Sequence, residues 1–96
     1  MNRYGIHYKL PNTSETFRKN DVQNTHSLIG FINAENLEDA FYQMQGEIWS
    51  PNGEARNLIR NLGLNHTSMM IGDVISIPDT GEMWVVAWEG FDKLQD

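Results

Sequence analysis

The sequence predicts one α+β domain over residues 1–96, with two helices on one face of a small, mostly antiparallel sheet of about four strands. Three observations predict this fold. Apolar and polar residues alternate with a two-residue period near the start of the chain, the last third has the pattern of a hairpin, and two central segments have helical spacing of apolar residues. The chain is also short and 40% apolar, which suits a single core. The predicted order of elements is β-β-α-α-β-β.

The first two strands are predicted in the N-terminal third of the chain. Large apolar and polar side chains alternate over residues 3–10, which is typical of a half-buried strand, and Pro11 ends it. Residues 11–25 are polar and rich in turn-forming residues, so they are expected to form a long loop or hairpin tip. The apolar run SLIGFIN at 27–33 predicts the second strand.

Two amphipathic helices are predicted in the middle of the chain. Apolar residues recur at positions i, i+3, i+4 and i+7 in both segments, namely Leu37, Ala40, Phe41 and Met44, then Ala55, Leu58, Ile59 and Leu62. Asn33 or Asn36 is expected to cap the first helix, and Gly46 to end it. Ser50 and Pro51 are expected to be the cap and first residue of the second helix.

The last third predicts a β-hairpin. The segment GDVISI at 72–77 is followed by the turn PDTGE at 78–82 and the strand MWVVAWEGF at 83–91. In the last strand Trp84, Val86 and Trp88 face one way, and the other face is also largely apolar. A strand that is apolar on both faces is normally central in its sheet.

Charge restricts the classes of partner. The net charge is -6, and the excess of acidic residues lies entirely in residues 21–96. Most of the surface is therefore expected to repel nucleic acid, which is usually bound through a basic face. Two exceptions stay open: a basic patch of Arg3, His7 and Lys9, or an acidic surface that imitates nucleic acid.

The absence of cysteine excludes disulfides, thiolate metal sites and a cysteine nucleophile, and fits a reducing compartment. The start of the chain has no apolar signal segment, and the longest apolar run, MWVVAW at 83–88, is far shorter than the roughly 20 residues of a membrane span. The sequence therefore predicts a protein of the bacterial or host-cell cytoplasm, with no membrane association.

No catalytic, metal-binding or cofactor-binding residues are predicted. The three histidines lack metal-ligand spacing, and no glycine-rich phosphate loop is present. His66, Ser68 and Asp73 have the residue types of an acyl-transfer triad, although no motif exposes a nucleophile. The favoured interpretation of this segment is a polar loop, shaped by Gly72, that leads into a strand; an enzyme site near His66 and Asp73 is the alternative.

The three tryptophans have two interpretations. Trp84 and Trp88 lie on one strand face and Trp49 lies at the junction of the helices, so all three suit a core. If the helices cover the opposite face of the sheet, the two strand tryptophans are exposed instead. They could then stack bases or anchor a partner protein, with the basic patch beside them.

The segments LGLNHTSMMIGDVISI and GEMWVVAWEGF resemble a motif of small uncharacterised phage, plasmid and conjugative-element proteins, the YodL-like group, in which a stretch such as GHRSMSVGDVV precedes a strand. The likeness extends over roughly residues 28–91, with Met70-Ile71 and Thr67 departing from the pattern. The matching positions are His66, Ser68, Met69, Gly72, Asp73, Val74, Gly90 and Phe91. The resemblance implies an accessory gene of a mobile element and no particular reaction. The Gly-Asp step before a strand also resembles small RNA-binding barrels of the PUA and ASCH type.

These observations favour a protein that binds and modulates a host protein, for example a nucleic-acid-binding one, as an anti-defence factor or inhibitor. The candidate interaction surface is Glu35, Glu38, Asp39, Glu47, Trp49, Trp84 and Trp88. The alternative is a small RNA or single-strand-binding module that uses an aromatic sheet face. A monomer or a homodimer is expected, the latter through an unpaired edge strand such as residues 3–10.

Overall fold

The computed structural model describes residues 1–96 and contains five strands and four short helices. The strands are β1 (Asn2–Lys9), β2 (His26–Ala34), β3 (Val74–Ile77), β4 (Glu82–Ala87) and β5 (Gly90–Lys93). The helices are α1 (Val22–Thr25), α2 (Leu37–Gln43), α3 (Gly46–Trp49) and α4 (Arg56–Asn61). The predicted α+β class is confirmed, with one strand and two short helices more than expected.

The strands form one open sheet in the order β2-β1-β3-β4-β5, and every neighbouring pair is antiparallel. β1 pairs with β2 on one side and β3 on the other, so the prediction of an unpaired edge strand at residues 3–10 is wrong. Alternation along a strand reports which faces are buried, and it contains no information about which edges are paired. The edge strands are β2 and β5.

The main core lies between the sheet and the helices. Tyr4, Ile6 and Tyr8, the apolar side of β1, are all buried there, as their alternation predicts. The helices and the loop after α4 supply most of the opposite wall. The full cluster is Tyr4, Ile6, Tyr8, Ala34, Ala40, Met44, Ala55, Ile59, Leu64, Met69, Ile75 and Val86. Nearly every large apolar residue predicted for the helices is buried or packs against this cluster.

The second face of the sheet is covered by the segment at 11–25. Val74 alternates with Ile75 and so points away from the main core, yet it is fully buried, as is Val22 of α1. The segment contains a 3₁₀ turn at Lys19–Asp21 before α1. The backbone N–H of Lys19 donates to the carbonyl of Gln95 at 2.9 Å, which joins this segment to the C-terminal tail. The segment is therefore the long connection of the β1-β2 hairpin, as predicted, and it also covers the second face of the sheet.

The helix boundaries differ from the prediction in two places. Gly46 begins α3 rather than ending a helix, because α2 already ends at Gln43. α4 begins at Arg56 instead of Pro51, since the Ser50 hydroxyl accepts a hydrogen bond from the N–H of Ala55 at 2.8 Å and closes a turn there. Side chain to backbone bonds of serine compete with helix formation in this way.

Residues 83–91 form two strands instead of the single predicted strand. Ala87 pairs with Gly90, so Trp88 and Glu89 make a two-residue turn between β4 and β5. Gly90 has a φ of +86°, a conformation that residues with a Cβ rarely adopt. Because the apolar pattern continues through this turn, hydrophobic periodicity does not reveal the turn.

We expect Asn36→Ala to lower the free energy of unfolding by about 1 kcal/mol. The Asn36 side chain accepts a hydrogen bond from the N–H of Asp39 at 2.8 Å and caps α2. Urea denaturation would measure the loss. Asn57→Ala is the matched control, because Asn57 lies exposed within α4 and alanine favours helix there. Equal stability of Asn36→Ala and the wild type would refute the role of the cap.

Candidate functional site

The structure brings together His66, which lies in the loop after α4, and Asp73, which immediately precedes β3. The His66 Nε2 atom lies 2.9 Å from Oδ2 and 3.2 Å from Oδ1 of Asp73. The Asp73 carboxylate is buried, with 1% of the residue exposed. His66 and Asp73, the residues of the alternative enzyme site, are therefore in direct contact.

The Asp73 carboxylate also accepts two backbone hydrogen bonds. The N–H of Lys9 at the end of β1 donates to Oδ1, and the N–H of Met70 donates to Oδ2, both at 2.8 Å. One side chain thus joins β1, the loop at 64–72 and the imidazole of His66. A carboxylate with three donors is well compensated for its removal from water.

The face of the His66 imidazole packs against the ring of Tyr8. The two rings are stacked, with centroids 4.7 Å apart and an interplanar angle of 15°. The Tyr8 hydroxyl donates to the carbonyl of Thr67 at 2.6 Å, and the indole N–H of Trp49 donates to the same carbonyl at 3.0 Å. We call Tyr8, His66, Thr67 and Asp73 the Asp73 clasp.

Ser68 takes part in a different contact. Its hydroxyl accepts a hydrogen bond from the N–H of Gly46 at 2.7 Å, which holds the first turn of α3. The second ring nitrogen of His66 lies 3.3 Å from the side-chain oxygen of Asn65. Hydrogen bonds to the polar atoms of residues 64–73 thus connect this segment to β1 and to α3.

Burial changes the proton affinity of the other two histidines. His7 contacts the Ser76 hydroxyl at 2.8 Å, and burial, with a smaller effect of His26, lowers its pKa to about 4. His26 donates from Nε2 to the carbonyl of Gly72 at 2.8 Å, and burial lowers its pKa as well. His7 is therefore neutral at pH 7.

The predicted basic patch of Arg3, His7 and Lys9 is not one exposed charged surface. Lys9 Nζ donates to the carbonyl of Thr13 at 3.0 Å and is only partly exposed. The Arg3 guanidinium lies 4.5 Å from the ring centroid of Phe31. With His7 neutral, Arg3 is the one fully exposed cation of the three.

We expect the stability of the protein to fall as the pH decreases from about 6.5 toward 4. The unfolded chain protonates His7 near pH 6.5, whereas the folded protein resists protonation down to a pKa of about 4. The unfolded state therefore binds more protons in this range, and the free energy of unfolding decreases. Screening by solvent leaves a loss of about 1 to 2 kcal/mol by pH 5 from His7.

Urea denaturation of the wild type and His7→Gln at pH 7, 6 and 5 would measure this effect. We expect a flatter dependence for His7→Gln, with the remaining slope coming from His26, whose lowered pKa acts in the same direction. Parallel curves for the two proteins would contradict this account.

The three tryptophans lie in different environments. Trp49 packs against the main core. Trp84 is half-buried on the helix side of the sheet, and its indole N–H donates to Glu82 at 3.1 Å. Trp88 lies in the turn after β4 and is 86% exposed. Of the two strand tryptophans only Trp88 is largely exposed, so the two do not form an exposed aromatic stripe.

Trp88 borders a pocket of about 270 Å³ between α2 and the β4-β5 hairpin. The rings of Phe41 and Phe91 meet edge to face there, 6.4 Å apart at 77°. Glu38 of α2 also lines the pocket. We call this site the Trp88 pocket; its residues are Glu38, Phe41, Val86, Ala87, Trp88, Gly90 and Phe91.

The interaction surface predicted from the sequence contains Glu38 and Trp88 of this pocket but neither Phe41 nor Phe91. Phe41 has the spacing of a core residue in α2, and Phe91 belongs to a strand that was not predicted as separate. No local pattern connects the two, because the contact depends on how α2 packs against the hairpin.

The other predicted acidic residues have different roles. The Asp39 carboxylate accepts hydrogen bonds from the N–H of Glu35 at 3.0 Å and from Gln43 at 3.2 Å, which stabilises the start of α2. Glu47 lies exposed on α3 and does not line the Trp88 pocket. Among the four predicted acids, Glu38 is the one at the pocket.

Comparisons with family models, curated proteins and solved structures find no match for this chain. No group of three or more potential metal-ligating side chains is assembled. None of the helices has the length and apolar character needed to cross a membrane.

Proposed function

We propose that this protein binds a host protein and modulates its activity, as an accessory protein of a phage or mobile element. The observation that carries the proposal is the exposure of Trp88 beside an aromatic pocket. The resemblance of the segment around His66 and Asp73 to the YodL-like group supports the mobile-element origin. An anti-defence or inhibitory role is the form of modulation that we propose for such a protein.

Trp88 has the properties of an interface anchor. Tryptophan carries a large apolar area, and 86% of Trp88 is exposed, so a partner that covers it would remove a large apolar surface from water. Alanine scanning finds tryptophan enriched among the few residues that dominate binding energy. A standard interface covers about 800 Å² per partner, and a domain of 37 × 33 × 23 Å has faces of that size.

The charge of the protein favours a basic partner. The net charge is -6, and Glu38 at the pocket and Glu89 in the adjacent turn place carboxylates around the anchor. Opposite charges accelerate encounter and select partners, an effect that salt weakens. A basic groove on a nucleic-acid-binding protein has the required chemistry.

The alternative functions receive less support from the geometry. The predicted single-strand-binding surface combined Trp84 and Trp88 with Arg3 and Lys9, yet Arg3 and Lys9 lie on the sheet face opposite Trp84. On that face Arg3 contacts a single ring, that of Phe31. A reaction at His66 and Asp73 would use polar atoms that already hold the loop to β1.

The test is capture of partners from bacterial lysate with tagged wild-type protein, Trp88→Ala and Phe31→Ala, each with and without nuclease. Phe31 is the matched control, because it is an exposed aromatic residue on β2, the opposite edge of the sheet. We expect one nuclease-resistant protein in stoichiometric amount with the wild type and Phe31→Ala. Binding of the purified partner to Trp88→Ala should be weaker by about 30-fold.

Equal affinity of Trp88→Ala and the wild type for that partner would refute the proposed surface. Recovery of RNA or DNA, with proteins lost after nuclease treatment, would favour the nucleic-acid-binding alternative instead.

A further inference from the structure

We infer that the Trp88 pocket binds an arginine side chain presented by a basic segment of the partner. This inference rests on the proposed function and specifies the chemistry of the contact. It follows from three features of the pocket: its aromatic walls, its free carboxylate and its volume.

The aromatic walls suit a cation. The indole face is the strongest partner of cations among aromatic side chains, and arginine is the commonest cation in such contacts. Trp88 presents its indole to solvent, and Phe41 and Phe91 add two further rings to the pocket. The protein already contains one contact of this kind, between Arg3 and Phe31 at 4.5 Å.

The carboxylate of Glu38 supplies the matching charge. The three ion pairs of the chain involve other acidic residues, so Glu38 is free to pair with an incoming cation. A planar guanidinium can stack on an indole and donate two hydrogen bonds to a carboxylate, whereas an ammonium group acts as a compact point charge. The combination of Trp88 and Glu38 therefore favours arginine over lysine.

The volume of the pocket suits a single side chain. Sites for drug-sized or cofactor-sized ligands measure about 300 to 1,000 Å³, and the Trp88 pocket measures about 270 Å³. The second apolar pocket of the protein, about 230 Å³ beside β2, has no carboxylate among its lining residues. Charge complementarity thus distinguishes the Trp88 pocket from the other apolar pocket.

The experiment measures the affinity of the full-length protein for three labelled peptides of equal length. They alternate glycine with arginine, lysine or uncharged citrulline. Fluorescence anisotropy would be recorded for the wild type, Trp88→Ala, Glu38→Gln and Glu47→Gln. Glu47→Gln is the matched control, since it removes the same charge from an exposed position outside the pocket.

We expect the wild type to bind the arginine peptide at least fivefold more tightly than the lysine peptide and not to bind the citrulline peptide. Trp88→Ala should weaken arginine binding about tenfold and Glu38→Gln about fivefold, with less than a twofold effect of Glu47→Gln. In the wild type, the indole N–H resonance of Trp88 should shift on titration with the arginine peptide.

Equal binding of the arginine and lysine peptides, with equal effects of Glu38→Gln and Glu47→Gln, would show general attraction to an acidic protein and overturn the inference. Failure of the wild type to bind the arginine peptide would also overturn it. Either result leaves the proposed function intact if the captured host protein still requires Trp88, so the two hypotheses fail separately.

Discussion

Replacing Tyr8 with alanine is expected to lower the free energy of unfolding by about 4 kcal/mol, as large truncations of buried aromatic residues do. Tyr8 is fully buried in the main core, and its ring is stacked on His66. Truncation removes both contacts and leaves a cavity below the loop at 64–72. A domain of this size has a total stability of only about 5 to 15 kcal/mol, so the variant approaches the limit of folding.

Tyr8→Phe separates the ring from its hydroxyl. The hydroxyl donates to the carbonyl of Thr67, which also accepts from the indole N–H of Trp49. Because that carbonyl keeps a donor, we expect a loss of only about 1 kcal/mol. Urea denaturation followed by circular dichroism would compare the two variants. Similar losses for both would contradict the assignment of most of the stabilisation to ring packing.

Asp73→Asn is expected to lower the free energy of unfolding by about 3 kcal/mol, although the side chain keeps its shape. The carboxylate accepts hydrogen bonds from the N–H groups of Lys9 and Met70 and from His66. An amide has one acceptor oxygen, so its NH₂ group must face a donor, and a buried unsatisfied donor costs about 1 to 3 kcal/mol. Loss of the charge weakens the remaining hydrogen bonds as well.

Thermal denaturation would detect this effect as a decrease in Tm of about 12 to 24 °C, at roughly 4 to 8 °C per kcal/mol for a domain of this size. Asp92→Asn is the matched control because Asp92 is exposed on β5. A change in Tm of less than about 3 °C for Asp73→Asn would refute the Asp73 clasp as a main stabilising element.

The elements whose apolar spacing is regular were predicted well. The alternation of Tyr4, Ile6 and Tyr8 identified β1 and its buried side, and the cap of α2 at Asn36 was among the two proposed. The prediction failed where periodicity continued across a turn, as at Trp88 and Glu89. It also failed where a side chain to backbone bond replaced a helical turn, as at Ser50.

The candidate site was predicted in part. Glu38 and Trp88 were included in the proposed interaction surface, together with residues that the structure places in the core or in helix caps. His66 and Asp73 were recognised as a candidate pair, but their distance could not be predicted from their positions in the chain. Their contact requires the loop at 64–72 to fold back onto β1.

The sequence by itself determined the α+β class, the buried side of β1, the amphipathic character of α2 and the acidic charge of the molecule. These properties depend on spacings of a few residues and on composition, which local physics controls. Only the tertiary structure decided that β1 is an inner strand, that residues 11–25 cover the second face, and that Phe41, Phe91 and Glu38 meet beside Trp88. Such contacts join residues far apart in the chain, and the free energy of packing selects among the arrangements that local patterns allow.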